Sequence, residues 1–460
     1  VGYACLARYF RGKLRPVAED KYKTLAREIV SHAIAALQQR EHALDLRVRR
    51  GEATDDVLET LEKVRNELAV WDEQRLAITY TLADFAHYTR VSLTDPHDLA
   101  ALEALDDHFR IIEQPDLMPA SLLSWVAPLI DAGVKAADED KLIDFDDMLY
   151  LPHLWELTPS RAPMVYLDEA QDLSAAQLAL ALKCRAPGGR LLAVGDERQS
   201  IYGFSGADND SFWNIQRATN ATLLPLSICY RCPTSHLKLA QEIVPDIEPR
   251  PGAPEGIVGV ISEDKLAGEL RGGDLILCRV TAPLVRQCIK LIGQHVPARV
   301  RGRDIGKGIS DLIKQLQAHP TYTSYADLLA TMEAYEAEQV VVLSRRKNGA
   351  SRIASLRDRL EALRICYEQF PARDADSLRA QINDLFSDSK QLITLSTVHR
   401  AKGDEADRVF ILRRDKMPLT WVGQQEWEKK QEDNIRYVAL TRSKRELWFV
   451  EEGSNDSNDS

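Results

Sequence analysis

Apolar positions along the chain follow two rhythms. In the first third they recur in steps of three and four. Thr54 stands where a helix N-cap belongs, and Val57, Leu61, Val64, Leu68, Trp71, Ile78, Leu82 and Phe85 follow it, with an interruption at Arg75. That stripe predicts helix, inside a region from 16 to 143 that reads as helical throughout. It can be buried in a coiled-coil dimer or in a helical hairpin packed on its own domain, and the hairpin is the expected arrangement. The rhythm then changes. Met164 to Leu167 is a short apolar run with β-formers, closed by Asp168 and Glu169. SAAQLALALKCRA follows with Ser174 as a candidate N-cap, and a second apolar run, Leu191 to Val194, ends in Gly195 and Asp196. Strand, helix, strand with acids at the strand ends is a βαβ unit of a parallel sheet, and ligands bind at the carboxyl ends of such strands.

A second set of strands is predicted beyond Ala207. LLPL at 223–226 leads into Tyr230-Arg231, and Gly256 to Ile261, Asp274 to Val280 and Pro297 to Arg301 alternate with helical runs. Residues 304–387 break the alternation and read as helix. QLITLS at 391–396, RVFIL at 408–412 and RELWFV at 445–450 then complete a second parallel sheet. The acidic tail, 453–460, is expected to be disordered. No internal repeat is visible.

Charge and cysteine content change the picture only a little. A net charge of -11 over 460 residues argues against nucleic-acid binding when taken alone. A protein of this charge can nevertheless grip a strand through base stacking and a few local contacts. The basic runs Arg299 to Lys307, Arg345 to Lys347 and Arg408 to Lys416 are available for such contacts, with solvated surface charge as the ordinary reading of each. Seven scattered cysteines suit a reducing compartment better than a disulfide framework. Cys229 and Cys232 form a C-x-x-C without a second pair nearby, so core cysteines flanking a functional Tyr-Arg are expected there rather than a zinc site. No apolar stretch approaches the length of a membrane span, and no signal-peptide pattern is present.

The chemistry gathers at Asp168-Glu169. An acid at a strand tip can hold Mg²⁺ through its water shell while a second acid polarises an attacking water, which fits nucleotide hydrolysis. Gln171 and Gln199 are neutral amides able to orient that water or touch a terminal phosphate. DEAQDLS followed by VGDERQSIYGFSGAD resembles motifs II and III of the UvrD/Rep-like superfamily 1 DNA helicases. Tyr230-Arg231 resembles motif IV, STVHRAKGDEADRV motif V and YVALTRSKREL motif VI, in the family's order.

The resemblance implies an α/β fold of two RecA-like, parallel-sheet P-loop NTPase motor domains with helical accessory insertions. The chain divides on that reading into a remnant of the first RecA-like domain (1–15), a helical accessory domain (16–143), the Walker B half of the first domain (144–220), a second RecA-like domain (221–303 and 388–452) and a small helical insertion (304–387). The resemblance also assigns roles. Asp168 would hold Mg²⁺ largely through water, and Glu169 would act as base. Gln199 would sense the terminal phosphate, which Arg231 would grip, and Arg442 would be the arginine finger. Tyr230 would stack on adenine, Gly403 would allow close backbone approach, and Glu405 would bind the ribose. Tyr202, Phe204, Thr397 and His399 would face DNA, a core histidine being the plain alternative for His399. Ser205, where many relatives carry Arg, and Asp404, where an apolar residue is usual, depart from the pattern.

No G-x-x-x-x-G-K-[ST] occurs, and GRDIGKG at 302–308 lacks the final hydroxyl residue. In the family that loop precedes a segment like VGYACLARYF, so the sequence is expected to be a fragment. The implied activity is an ATP- and Mg²⁺-dependent helicase or translocase acting 3′ to 5′ on single-stranded and duplex DNA, cytoplasmic and nucleoid-associated in a prokaryote. A DNA-binding or interaction subunit with a dead ATPase is the alternative, and an RNA helicase a third reading.

Overall fold

The computed structural model describes residues 1–112, 115, 118–201, 211–344, 349–386 and 393–451, without the side chain of Asp304. The chain forms two compact units, 1–196 with 202–221, and 197–201 with 222–460.

The first unit is mostly helical: α1 (Gly2–Tyr9), α2 (Lys21–Arg49), α3 (Asp55–Glu73), α4 (Arg75–Ser92), α5 (Leu99–Phe109), α6 (Val126–Asp140) and α7 (Asp147–Leu154). Thr54 does cap α3, accepting the Val57 N–H at 3.4 Å. The apolar stripe is carried by two helices, because α3 stops at Glu73 and α4 begins after Gln74. Val57, Leu61 and Val64 pack with Leu44 of α2. Trp71, Ile78, Leu82 and Phe85 enter a larger core with Tyr22, Val30, Leu129 and Ile130. The stripe is thus buried within its own unit, chiefly against α2 and α6.

An ionic cluster ties three of these helices together. Lys21 Nζ of α2 donates to Asp147 Oδ2 of α7 at 2.5 Å. Arg90 of α4 reaches Asp147 Oδ1 at 2.9 Å and grips Asp144 with both terminal nitrogens, at 2.6 and 2.9 Å. Its guanidinium lies 3.7 Å from the Tyr22 ring centroid. Burial of such charges is tolerated only because each finds an opposite partner.

The same unit holds β1 (Ala162–Leu167), α8 (Ala175–Lys183), β2 (Arg185–Ala193) and α9 (Ser211–Thr219). Ser174 and Gln177 form a reciprocal capping box at the start of α8. β1 and β2 pair in parallel, with Met164 to Leu167 opposite Arg190 to Ala193. The sequence reading started β2 at Leu191. It begins at Arg185 instead, because Pro187-Gly188-Gly189, which reads as a turn, is absorbed as an irregularity between the Ala162 and Met164 pairings, with Gly188 at φ +72°.

The second unit is built on β3 (Ile228–Cys229), α10 (Thr234–Ala240), β4 (Glu248–Pro249), β5 (Ile257–Ser262), α11 (Glu263–Glu269), β6 (Leu275–Cys278), α12 (Ala282–Gly293), β7 (Ala298–Val300), α13 (Arg303–Gln317), α14 (Leu328–Ser344), α15 (Gly349–Gln369), α16 (Ala375–Leu385), β8 (Ile393–Thr397), β9 (Ala406–Leu412), α17 (Glu426–Leu440) and β10 (Ser443–Glu451). Six strands make one parallel sheet in the order β5-β10-β9-β6-β8-β7. β6 lies inside it and is buried at all four positions, as a strand covered on both faces must be. The helices α13 to α16 share that core: Leu312, Leu363 and Ile382 pack in the same cluster as Ile276 and Phe410.

One strand expectation fails. LLPL at 223–226 is not a strand, since Pro225 removes a ladder donor and Leu224 and Leu226 stay 77% and 87% exposed. Only Ile228–Cys229 pairs there, with β4. Gln391, Leu392 and the tail 453–460 lie outside the described residues. Among the described residues no helix is long and apolar enough to cross a membrane.

Candidate functional site

In the first unit the two carboxylates sit where β1 ends. Asp168 and Glu169 are exposed, and Glu169 adopts left-handed backbone at φ 49°. That turn lets the Glu169 N–H donate to Asp168 Oδ1 at 2.9 Å. Gln171, only 2% exposed, donates from Nε2 to Glu169 Oε2 at 2.5 Å and accepts the Asp196 N–H on Oε1 at 3.0 Å. Its amide is therefore a strut between the tips of β1 and β2 rather than a group turned toward a phosphate. Gly195 is required beside it, because a Cβ there would come within 2.2 Å of Gln171 Oε1.

Exposed oxygen donors of this kind suit Mg²⁺, which keeps most of its waters and takes one or two protein carboxylates together with substrate phosphates. Among the described residues no group of three or more His, Cys, Asp or Glu forms a metal cage. Asp168 can fill the water-mediated role without one.

In the second unit, Arg442 and Glu405, both singled out in the sequence, lie at the amino-terminal edge of β9 and β10. Ala406 and Ser443 stand opposite each other in the sheet, and the Ala406 N–H bonds the Arg442 carbonyl at 3.1 Å. This register sets the motif V loop beside the motif VI arginine. Arg442 is 1% exposed and is held by the carbonyls of Val438 at 2.9 Å and Asp404 at 3.3 Å. Its Nη2 also donates to Gln199 Oε1 at 3.4 Å. Gln199 belongs to this unit because α17 binds its segment: Asn434 Nδ2 donates to the carbonyls of Glu197 at 3.2 Å and Ser200 at 2.9 Å.

Arg231 and Glu405 are brought together as well, Nε to Oε2 at 2.7 Å. Lys444 pairs with the other oxygen of Glu405. Lys444 first, and Arg231 with it, hold the Glu405 carboxyl below its ordinary range. Gly403, at φ +84° with open space around it, turns the loop just before. Tyr230 presents its ring to solvent, 74% exposed. Two guanidinium groups, an ammonium and an open aromatic face at one sheet edge are suited to an anionic nucleotide with a flat base.

Thr397 is the last residue of β8, at its carboxyl end, and His399 follows two positions on. Thr397 is buried and His399 half-buried. Desolvation, with Arg279 adding to it, pushes the imidazole down to about 3, so it is neutral at pH 7. It can offer a hydrogen bond there but not a positive charge. Tyr202, Phe204 and Ser205 lie outside the described residues.

Asp404, the departure in motif V, has a partner in Arg301. The basic runs are likewise largely compensated. Arg408 is buried between Asp274 and Glu446, and Arg413 pairs with Asp415. Arg345 to Lys347 lies outside the described residues. Sequence reasoning missed Lys444, Asn434 and the strut role of Gln171. The one usable signal was a polar Asn434 placed among the apolar residues Ile435, Val438 and Leu440 of a helix.

Residues 17–220 match the family profile of the UvrD/REP helicase N-terminal domain. The chain is 27% identical over 393 residues to the F-box DNA helicase protein 1 of Schizosaccharomyces pombe, covering 80% of this chain and 42% of that protein. It is 27% identical over 128 residues to the ATP-dependent DNA helicase PcrA of Staphylococcus aureus, covering 26% of this chain and 18% of PcrA. It is 32% identical over 122 residues to DNA helicase II of Salmonella typhimurium, covering 24% of this chain and 16% of that protein. The chain thus spans less than half the length of each of these relatives. With segments resembling motifs II to VI in order along the sequence and these matches beside them, the chain is similar to the UvrD-like superfamily 1 helicases.

Proposed function

We propose that this chain serves as the motor of an ATP- and Mg²⁺-dependent DNA helicase that translocates 3′ to 5′ on single-stranded DNA. On this reading 144–220 belongs to one RecA-like domain and 221–303 with 388–452 to the other. The observation that carries the reading is the meeting of Gln199 with Arg442 at 3.4 Å, on the same sheet edge as the Arg231–Glu405 pair. Gln199 is the proposed reader of the terminal phosphate and Arg442 the stabiliser of charge on the transferring phosphoryl. Their contact gives hydrolysis a direct route to the segment that leads into Tyr202 and Phe204.

Each residue has one task. Asp168 holds the metal's water shell, and the bound Mg²⁺ supplies charge neutralisation on the phosphates. Glu169 takes a proton from the attacking water, with its carboxylate held in place by Gln171. Arg231 grips phosphate oxygens on leaving Glu405, which then turns to the ribose. Tyr230 stacks on the base. Thr397 and His399 face the DNA strand, and Tyr202 and Phe204 are the candidates for stacking, which accepts any base.

A DNA-binding subunit without hydrolysis is the second reading. The test is ATP-dependent strand separation of a 3′-tailed duplex by the full-length protein. The motor reading expects unwinding that Arg442→Ala reduces by about 10³-fold or more. Tight DNA binding with no ATP hydrolysis in the unmodified protein would establish the second reading instead.

A further inference from the structure

The two cysteines around Tyr230-Arg231 have a chemistry that nucleotide binding does not use. Cys229 ends β3 and is half-buried, whereas Cys232, on the far side of a tight bend, is 3% exposed. The Cys232 N–H donates to Cys229 Sγ at 3.4 Å, so the backbone folds the second cysteine back onto the first sulfur. Cys232 Sγ also lies 3.5 Å from the carbonyl oxygen of Thr441, the residue before Arg442.

We propose that Cys229 and Cys232 are a redox-active dithiol, oxidised by hydrogen peroxide to an intramolecular disulfide that disables the Tyr230-Arg231 contact with nucleotide. The second half of this statement rests on the function proposed above; the first half does not. An accessible sulfur beside a shielded resolving sulfur is the arrangement redox-sensing thiols share. The electrostatics agree. The Cys232 thiol, the neighbouring N–H groups and the Arg231 guanidinium stabilise the Cys229 thiolate and bring that thiol down to about 6. The remaining cysteines move the other way. Burial raises Cys5 and Cys184, pushes Cys278, Cys288 and Cys366 up to about 12, and together with the Cys229 hydrogen bond raises Cys232. Of the seven thiols, Cys229 is the one shifted toward the thiolate, and it has a resolving partner three residues away.

The step balances. The Cys229 thiolate attacks one peroxide oxygen and the O–O bond breaks, giving a sulfenic acid and a hydroxide that leaves as water. The Cys232 sulfur then displaces hydroxide from Cys229, and that hydroxide departs with the Cys232 proton as a second water. Two thiols lose two electrons and the peroxide gains them. Drawing Cys232 onto Cys229 pulls it from the Thr441 carbonyl and tightens the bend that carries Tyr230 and Arg231, so neither side chain keeps its reach to the nucleotide.

Peptide mapping tests the site without reference to nucleotide. Trypsin cuts after Arg231, so the disulfide would join peptide 218–231 to peptide 232–238. One equivalent of peroxide on the folded full-length protein should yield this linked pair, and dithiothreitol should remove it. In Cys232→Ser the same treatment should leave a dimedone-reactive sulfenic acid at Cys229 and no linked pair. Preferential oxidation of Cys184, or a pair that stays reduced, would overturn the assignment. A second arm measures affinity for a fluorescent ATP analogue. The oxidised protein should bind at least tenfold more weakly and recover with dithiothreitol, while a Cys229→Ser, Cys232→Ser protein should be indifferent to peroxide. A disulfide that forms without changing affinity would overturn the coupling to Tyr230-Arg231. A reduced protein that binds no nucleotide would contradict the proposed function and leave the peptide result standing.

Discussion

His399 is neutral because its surroundings strip water from the ring, and this has a measurable sign. Its folded pKa of about 3 lies below the ordinary 6.5, so on acidification the unfolded chain takes up the proton first. The stability it contributes is fully present above pH 6.5 and is lost as pH falls from 6.5 toward 3. The slope is at most one proton, about 1.4 kcal/mol per pH unit, and less for a ring that keeps some contact with solvent. Denaturant titrations between pH 7 and 4.5 should therefore show the unmodified protein weakening more steeply than His399→Gln; parallel curves would place the ring in an ordinary aqueous setting. Roles at this scale were unevenly legible. Asp168 and Glu169 could be picked from the sequence because an acid pair closing an apolar run is a local pattern, whereas Arg442 was picked by its resemblance to motif VI. Gln171 could not be read as a strut, since its partners are fixed by the side-by-side pairing of β1 and β2. Asp404 looked like a flaw until Arg301, 103 positions away, supplied its counter-charge.

Among the elements, the cluster joining α2, α4 and α7 is the clearest place where tertiary contacts override local preference. The helical reading of 16–143 covered α2 and α4, but it stopped short of α7 and gave no hint that Lys21, Arg90 and Asp147 would be buried together. A charge inside a helical pattern reads as a solvated face until its partners are known. Arg90→Met keeps most of the volume and removes the cation, leaving Asp144 and Asp147 short of compensation. It should destabilise the first unit by about 3–5 kcal/mol, read as a lowered unfolding midpoint in urea. A change below about 1 kcal/mol would mean that the carboxylates reach water or protonate at little cost. The strand predictions divide along the same physical line. β6, β8, β9 and β10 were legible as apolar runs because parallel strands covered on both faces must be apolar. LLPL was misread because hydrophobicity alone does not make a strand when Pro225 interrupts the ladder and no neighbour takes the edge.

At the scale of the molecule, the central claim is that one chain carries both the water-activating acid and the charge-stabilising arginine of an ATP-driven motor. A net charge of -11 leaves that claim intact only if DNA is held chiefly by stacking, since Arg301, Arg408 and Arg413 are already paired with carboxylates. Glu169→Gln probes the claim most directly, because it keeps the side chain's shape and an acceptor for the Gln171 amide while removing the base. The decisive measurement is single-strand-stimulated ATP turnover, with ATP affinity measured alongside, for the full-length protein and its Glu169→Gln variant. Affinity should be retained within a few-fold while kcat falls by about 10²–10⁴-fold. A kcat within a few-fold of the unmodified protein, or no stimulated turnover in either, would contradict it.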